Sequence, residues 1–228
     1  MKLGIILTPD NRSKAYLQKI IYNEIQLDEI IFMNDNKKNK ESNNEIIQKS
    51  IENGFDVSKS IKETLDENNL KFIEFPFIDI NNVEIIDCVK KSTADYFIFS
   101  GGGILRTDIL KSRKKFVHFH PGIVPQYRGS TCFYYSIINE GICGVTAFIM
   151  DEGLDTGNIV YQKTFEKPDY SFVDEVYDPH IRSETLIDVL KKELLFNNNK
   201  PQNVNEGNKY YIIHPVLNHI AILDCIKN

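Results

Sequence analysis

The residues best suited to chemistry in this 228-residue chain fall between Ser100 and Gln162. His118 and His120 lie two apart in the apolar run KKFVHFHPG, Lys114 to Gly122, so on a strand both project from one face. An imidazole of ordinary pKa, near ~6.5, can accept a proton at neutral pH. Taken alone, the two histidines could be packed core residues or metal ligands. Directly after them comes PGIVPQYRGS, Pro121 to Ser130, with two prolines, two glycines, a Tyr and an Arg. A loop that stiff at a strand end often holds a ligand. Ser130 is expected to cap a helix running to Asn139, aiming its positive end at the same place.

Two further pieces flank this loop. GVTAFIMDEGLDTGNIVYQ, Gly144 to Gln162, reads as a strand, an acidic glycine-containing turn and a second strand. One of Asp151, Glu152 and Asp155 in that turn could orient or charge-stabilise an imidazole, although acids in such turns more often serve only to form them. SGGGIL, Ser100 to Leu105, follows a buried strand, and its glycines permit positive φ and a close approach of ligand to backbone. Its order is not G-x-G-x-x-G, so a dinucleotide site is not supported.

The elements that must position these residues alternate between apolar and amphipathic runs. Strands are expected at the MKLGIILTPD start, over Asp28 to Asn34, over Lys71 to Pro76 and over Asp95 to Ser100. Helices are expected over Ser13 to Glu24, capped by Ser13, over Asp56 to Asn68 and over Ile80 to Lys91, with a Lys- and Asn-rich surface loop at Asn34 to Glu45. That alternation is the pattern of βαβ units in a mostly parallel α/β sheet, whose ligands bind beyond the carboxyl ends of the strands. The stretch Asn197 to Asn208 sets off a tail, YYIIHPVLNHIAIL, expected to be a strand leading into a helix with Pro215 in its first turn.

Composition narrows the partners. A net charge of −5 and a pI near 5.6 disfavour a nucleic-acid substrate, whose phosphates call for a basic face. No run approaches the ~18 apolar residues of a membrane span. Cys88, Cys132, Cys143 and Cys225 form no C-x-x-C pair, and no secretion signal precedes them, so reduced thiols in a cytoplasmic protein are expected. Cys132 is expected to be a small buried residue rather than a nucleophile.

The pieces GGGIL, HPGIVPQYRG and GVTAFIMDEGLDTGNIVYQ, in this order, resemble the formyltransferase family, which includes the methionyl-tRNA, glycinamide ribonucleotide and sugar N-formyltransferases. The family pattern has an Asn-x-His-Pro strand end and a Leu-Asp-x-Gly turn whose Asn, His and Asp are catalytic. Carried across, the His is His120 and the Asp is Asp155, while His118 stands at the Asn position. The resemblance implies a Rossmann-like, mostly parallel sheet flanked by helices, with a short C-terminal extension. It also implies a catalytic core over 1–165, with helices and a tail over 166–228 packed on it.

The same resemblance implies transfer of a formyl group from N10-formyltetrahydrofolate to a small-molecule amine. In that reading His120 is the general base, Asp155 the orienting carboxylate and His118 the hydrogen-bond donor to developing negative oxygen. Backbone groups of Gly103, Ile104 and Leu105, and of the turn Met150, Asp151, Glu152, Gly153 and Leu154, would read the pterin. Pro121, Gly122, Gln126, Tyr127, Arg128 and Gly129 would face the acceptor, with Arg128 meeting a phosphate or carboxylate; Arg128 could instead hold the loop through carbonyls. Only 66 residues follow Gln162, which with the acidic pI argues against tRNA. YRGSTCFYYS, YDPHIR and the HPVLNHIAIL ending look most like enzymes acting on nucleotide-linked amino sugars. The aromatic tail offers a surface for a homodimer. Three readings compete: a zinc hydrolase using H-x-H with Asp155 as third ligand, a folate or sugar-nucleotide binding protein with weak or no catalysis, and a folate hydrolase of the same fold that releases formate without an acceptor.

Overall fold

A computed structural model describes residues 2–35, 42–197 and 199–226. The chain forms a mostly parallel sheet of seven strands flanked by helices, and it divides into two compact units, Met1–His118 and Phe119–Asn228. The boundary expected at 165/166 falls inside the second unit.

The first unit is a run of βαβ crossovers. Its strands are β1 (Leu3–Leu7), β2 (Glu29–Met33), β3 (Ile73–Phe75), β4 (Tyr96–Phe99) and β5 (Lys115–His120), and its helices α1 (Asn11–Tyr22), α2 (Asn44–Glu52), α3 (Ile61–Glu67), α4 (Val83–Lys91) and α5 (Thr107–Leu110). The strands lie in order β3-β2-β1-β4-β5, all parallel. β1 and β4 are buried along their whole length, as strands covered on both faces must be. A side chain at Gly4 would put its Cβ 2.5 Å from the Phe97 ring, so only glycine lets these strands pack.

Three local details differ from the sequence reading. Asp10, not Ser13, caps α1, accepting from the Ser13 N–H at 2.7 Å. Ser13 is buried and its hydroxyl lies 2.6 Å from that of Ser100, which fastens the SGGGIL turn to the start of α1. The helix expected over 56–68 begins at Ile61, where Ser60 and Glu63 form a reciprocal capping box. Part of the Lys- and Asn-rich loop, 36–41, lies outside the described residues; α2 follows it, capped by Asn43, at a place where no element was expected.

The second unit begins in the last residues of β5. It contains β6 (Tyr127–Gly129), α6 (Cys132–Glu140), β7 (Ile142–Ile149), β8 (Ile159–Glu166), a π turn at Val173–Tyr177, α7 (Asp178–Lys191), α8 (Leu194–Asn197), β9 (Asn208–Tyr210) and α9 (Pro215–Ile226). β7 and β8 form the expected antiparallel pair around the acidic turn. β9 pairs in parallel with β6, Tyr127 opposite Asn208 and Gly129 opposite Tyr210, so the tail lies along the HPGIVPQYRG loop. The Tyr210 ring stacks on Tyr127 at 5.2 Å and meets Tyr135 at 4.5 Å. Beyond it Tyr211, Ile212, Val216 and Ile220 are exposed. No helix among the described residues is long and apolar enough to cross a membrane.

Candidate functional site

Strand β5 delivers His120 to its carboxyl end, and the loop that follows is braced from behind. The Thr146 hydroxyl on β7 donates to the Gly122 carbonyl at 2.7 Å and accepts from the Val124 N–H at 3.2 Å. Gln162 on β8 donates to the Val124 carbonyl at 2.7 Å. Three side-chain bonds to one short loop satisfy main-chain groups that would otherwise be buried unpaired. The loop contains one cis peptide, Val124–Pro125. At Gly122 a Cβ would stand 2.9 Å from His120 Nε2 and 2.8 Å from the Tyr127 carbonyl, so its side-chain hydrogen is what lets the loop fold over the imidazole.

His120 is almost wholly buried, and its Nε2 lies 3.0 Å from the Tyr127 carbonyl oxygen. A carbonyl only accepts, so Nε2 carries the hydrogen and Nδ1 of the neutral ring keeps the lone pair. Nδ1 faces Asp155 Oδ2 at 3.5 Å. The Gly129 N–H donates to the same oxygen at 2.7 Å, and Gln202 donates to the Asp155 carbonyl at 3.0 Å and to that of Gly157 at 2.6 Å. Asp155 itself sits at φ +52°, a left-handed conformation that short polar side chains tolerate best. Its turn is closed by Asp151, which accepts from the Gly153 N–H at 3.0 Å and from the Thr156 hydroxyl at 2.7 Å. Asp151 is the turn former, and Asp155 is the acid that meets the histidine.

Burial holds the His120 pKa below that of a free imidazole; the Asp155 charge opposes this, and the Arg182 guanidinium adds to it. Magnitudes explain the order. A charge pair at this separation attracts by about 5 kcal/mol, gross, at an effective dielectric near 20. Desolvating an ion costs several kcal/mol, and the imidazole is the more deeply buried partner. The resting ring is therefore neutral. Once it takes a proton, both N–H groups have partners waiting: the Tyr127 carbonyl on one side and Asp155 on the other. That is the arrangement of a poised base.

The other expected site residues are distributed unevenly. His118 is half-buried, with its ring 6.4 Å from that of Phe99, and strand alternation sets it on the His120 face. Of the residues expected to meet an acceptor, Pro121, Gly122, Tyr127 and Arg128 are buried, the Gly129 N–H is spent on Asp155, and Gln126 is exposed. Tyr127 donates its hydroxyl to Glu140 at 2.7 Å. Arg128 donates to the Glu206 carbonyl at 2.9 Å, and its Nε is buried without a partner; it anchors the tail instead of facing an anion. In the glycine turn, Gly103 has φ +103° with open space where a Cβ would be, Ile104 is exposed, Leu105 is buried, and the Ile104 carbonyl accepts from Asn81 at 2.8 Å. Asp151, Glu152, Gly153 and Leu154 are exposed and Met150 half-buried.

Ser130 does not cap α6. It is exposed and gives its N–H to the Tyr210 carbonyl at 2.9 Å, while Thr131, at φ +53°, precedes the helix without a side-chain cap. Cys132 is fully buried, and its thiol is pushed up to about 12, first by burial and then by the Asp155 charge, so it is inert as a nucleophile. Among the described residues no three His, Cys, Asp or Glu side chains cluster to hold a metal. Gln202, Tyr210 and the buried pair Asp178–Arg182 were not among the expected site residues. YDPHIR stands out only as part of the resemblance, and the contacts of Gln202, Tyr210 and Arg182 with remote main-chain or ring groups leave no local mark.

The chain has an α/β fold of mostly parallel strands with a strand-end histidine facing a carboxylate. Residues 8–171 match the family model described as formyl transferase, and the chain belongs to that family. It is 28% identical over 224 residues to a methionyl-tRNA formyltransferase of Clostridioides difficile, covering 96% of this chain and 66% of that protein. For the methionyl-tRNA formyltransferase of Finegoldia magna the figures are 27%, 87% and 60%. The chain thus spans about three fifths to two thirds of the length of these relatives. Among solved structures, the fold is similar to a sugar N-formyltransferase from a Shewanella species (TM-score 0.61, 16% identity, 99% of this chain and 88% of that one). It is also similar to an N-formyltransferase from Helicobacter canadensis in complex with folinic acid and dTDP-3-aminofucose (TM-score 0.65, 17% identity, 99% and 80%).

Proposed function

We propose that this chain transfers a formyl group from N10-formyltetrahydrofolate to the amine of a nucleotide-linked amino sugar. The observation that carries the reading is the His120–Asp155 pair, with Nδ1 and Oδ2 3.5 Å apart and Nε2 committed to a main-chain carbonyl. Family membership and the ligands named with the Helicobacter canadensis structure support the donor and the acceptor class.

The reduced folate supplies an activated formyl carbon. The turn read as meeting its pterin, Asp151–Leu154, is exposed. An attacking amine forms a bond to the formyl carbon and sheds a proton as its lone pair is used. The bond from that carbon to N10 breaks and N10 leaves as N–H, so the transfer takes up no net proton. His120 Nδ1, which keeps the lone pair, is the atom read as taking the amine's proton, and Asp155 Oδ2 at 3.5 Å is the carboxylate that orients it. The resulting imidazolium keeps the Nε2 bond to the Tyr127 carbonyl and gains an N–H at Nδ1 directed at Asp155, whose charge balances it. His118 is read as the N–H donor to the formyl oxygen while negative charge develops there, in the place of the family Asn. Gln126 is an exposed side chain of the loop through which an acceptor would be met.

A methionyl-tRNA acceptor is a second reading, favoured by the curated relatives. The net charge of −5 weighs against it. The test is a mass-spectrometric assay of N10-formyltetrahydrofolate with dTDP- and UDP-linked amino sugars, and in parallel with charged initiator tRNA. A formylated sugar, lost in His120→Gln and Asp155→Asn, supports the proposal. Formylation of the tRNA alone, release of formate with no acceptor modified, or folate binding without turnover would overturn it.

A further inference from the structure

A desolvated ion pair stands behind the strand that carries His120. The π turn Val173–Tyr177 runs directly into α7, which sets Asp178 and Arg182 one helical turn apart. Arg182 Nε donates to Asp178 Oδ1 at 2.7 Å, and Nη1 donates to the Phe119 carbonyl at 2.9 Å. Their side chains are only 8% and 13% exposed. An exposed pair at this spacing would swing freely and contribute little. Here the guanidinium is fixed by two acceptors in different directions, one of which is the carbonyl of the peptide leading into His120.

We propose that Arg182, oriented by Asp178, is a positioning residue for His120: it clamps the Phe119–His120 peptide and sets a fixed cation beside the imidazole. The proposal rests on the proton-accepting role of His120 given above. A lysine could not do the same, because a single ammonium lacks the planar fork that reaches carboxylate and carbonyl together. Charged and polar groups face His120 from three elements. They include Asp155 from the β7–β8 turn, Arg182 and Asp178 from α7 and the Tyr127 carbonyl from β6. Arg182 disfavours the imidazolium, whereas Asp155 and, more weakly than Arg182, Asp178 favour it. The clamp and the cation thus serve one end: a base held in a single orientation and kept free to take a proton.

The experiment reads the His120 imidazole directly by NMR in the full-length protein, its signal identified with His120→Gln, alongside the pH profile of kcat/KM. In Arg182→Met the protonated fraction of His120 at pH 5.5 should rise, and the acid limb of kcat/KM should move to higher pH. In Arg182→Lys the protonated fraction should stay near that of the unsubstituted protein while kcat falls about tenfold, because charge is kept and orientation lost. Arg182→Met strands the Asp178 carboxylate and could fail to fold. The double variant Asp178→Asn/Arg182→Met removes both charges, and since Arg182 acts more strongly, the protonated fraction should still rise. An unchanged fraction in the folded double variant, or full kcat in Arg182→Lys, would overturn the proposal. Failure of every acceptor to be formylated would sink the functional reading instead, and the NMR comparison would still decide whether Arg182 acts on His120.

Discussion

Asp155 Oδ2 stands 3.5 Å from His120 Nδ1 and is fixed there by the Gly129 N–H at 2.7 Å. The carboxylate is thereby held to one oxygen and one direction, and its backbone, at φ +52°, needs a residue that tolerates the left-handed region. Asparagine tolerates it and can still accept from Gly129, so Asp155→Asn removes the charge while leaving the turn intact. Its expected effect is a fall in kcat of about 10²- to 10⁴-fold with little change in Tm. Asp155→Ala should lose both activity and stability, because alanine pays for the left-handed turn by about 1–2 kcal/mol. Steady-state kinetics and thermal melts of the two variants, side by side, separate the charge from the turn.

The neutral resting state of His120 makes a prediction for stability. Its pKa in the folded protein is lowered, with burial the largest cause, while an unfolded chain restores a value near ~6.5. Above that pH neither state binds the proton, and the group is silent. As pH falls below about 6.5 the unfolded state takes up a proton that the folded state refuses, so stability drops, by at most about 1.4 kcal/mol per pH unit for one group. Urea titrations between pH 7.5 and 5.5 should therefore show a steeper loss in the unsubstituted protein than in His120→Gln. Parallel slopes would mean that His120 is not held neutral.

The sequence displayed the chemistry more fully than its supports. The resemblance singles out His120 and Asp155 as a pair, since the turn alone leaves Asp151, Glu152 and Asp155 equivalent, and the alternation of apolar and amphipathic runs identifies the parallel sheet. The braces were invisible because they are made by contacts between remote segments. Arg182 looks like a surface helical arginine in YDPHIR until burial and the Phe119 carbonyl are seen. Ser13 looks like a cap until it is found inside, against Ser100, with Asp10 doing the capping. Arg128 gives no local sign that the Glu206 carbonyl of the tail takes one of its donors. Charge and spacing reveal which residues could react; which partner satisfies a buried donor is decided by the tertiary fold.

Gly129 is a second point at which the tail and the site meet. It lies at φ +109°, and a Cβ there would be 2.0 Å from the Tyr210 carbonyl. Gly129→Ala should part β6 from β9, shift the N–H that holds Asp155, and destabilise the protein by about 3 kcal/mol or more. Gly141→Ala is the control: φ is +69° but nothing lies within 4 Å of the added carbon, so the expected cost is only about 1–2 kcal/mol with activity retained. Equal losses in the two variants would show that the close approach to Tyr210 is not maintained in solution.

Arg128 separates the structural from the ligand reading of the loop. Its guanidinium is buried, bonds the Glu206 carbonyl at 2.9 Å and leaves Nε without a partner. Arg128→Met keeps the length of the side chain and removes the donors. The loss of a charge-assisted bond, about 1.5–3 kcal/mol, is partly offset because the unpaired Nε no longer has to be buried. The expected outcome is a destabilisation of about 1–2 kcal/mol by denaturant titration, faster proteolysis within 199–212 and an acceptor KM unchanged within about twofold. A guanidinium that gripped the phosphate of an acceptor would behave in the opposite way. Its removal would raise KM by tenfold or more, since charged hydrogen bonds to a ligand contribute at least about 1.5 kcal/mol, while the tail stayed ordered and protected. Proteolysis and KM measured on one preparation thus distinguish an anchor from a ligand contact.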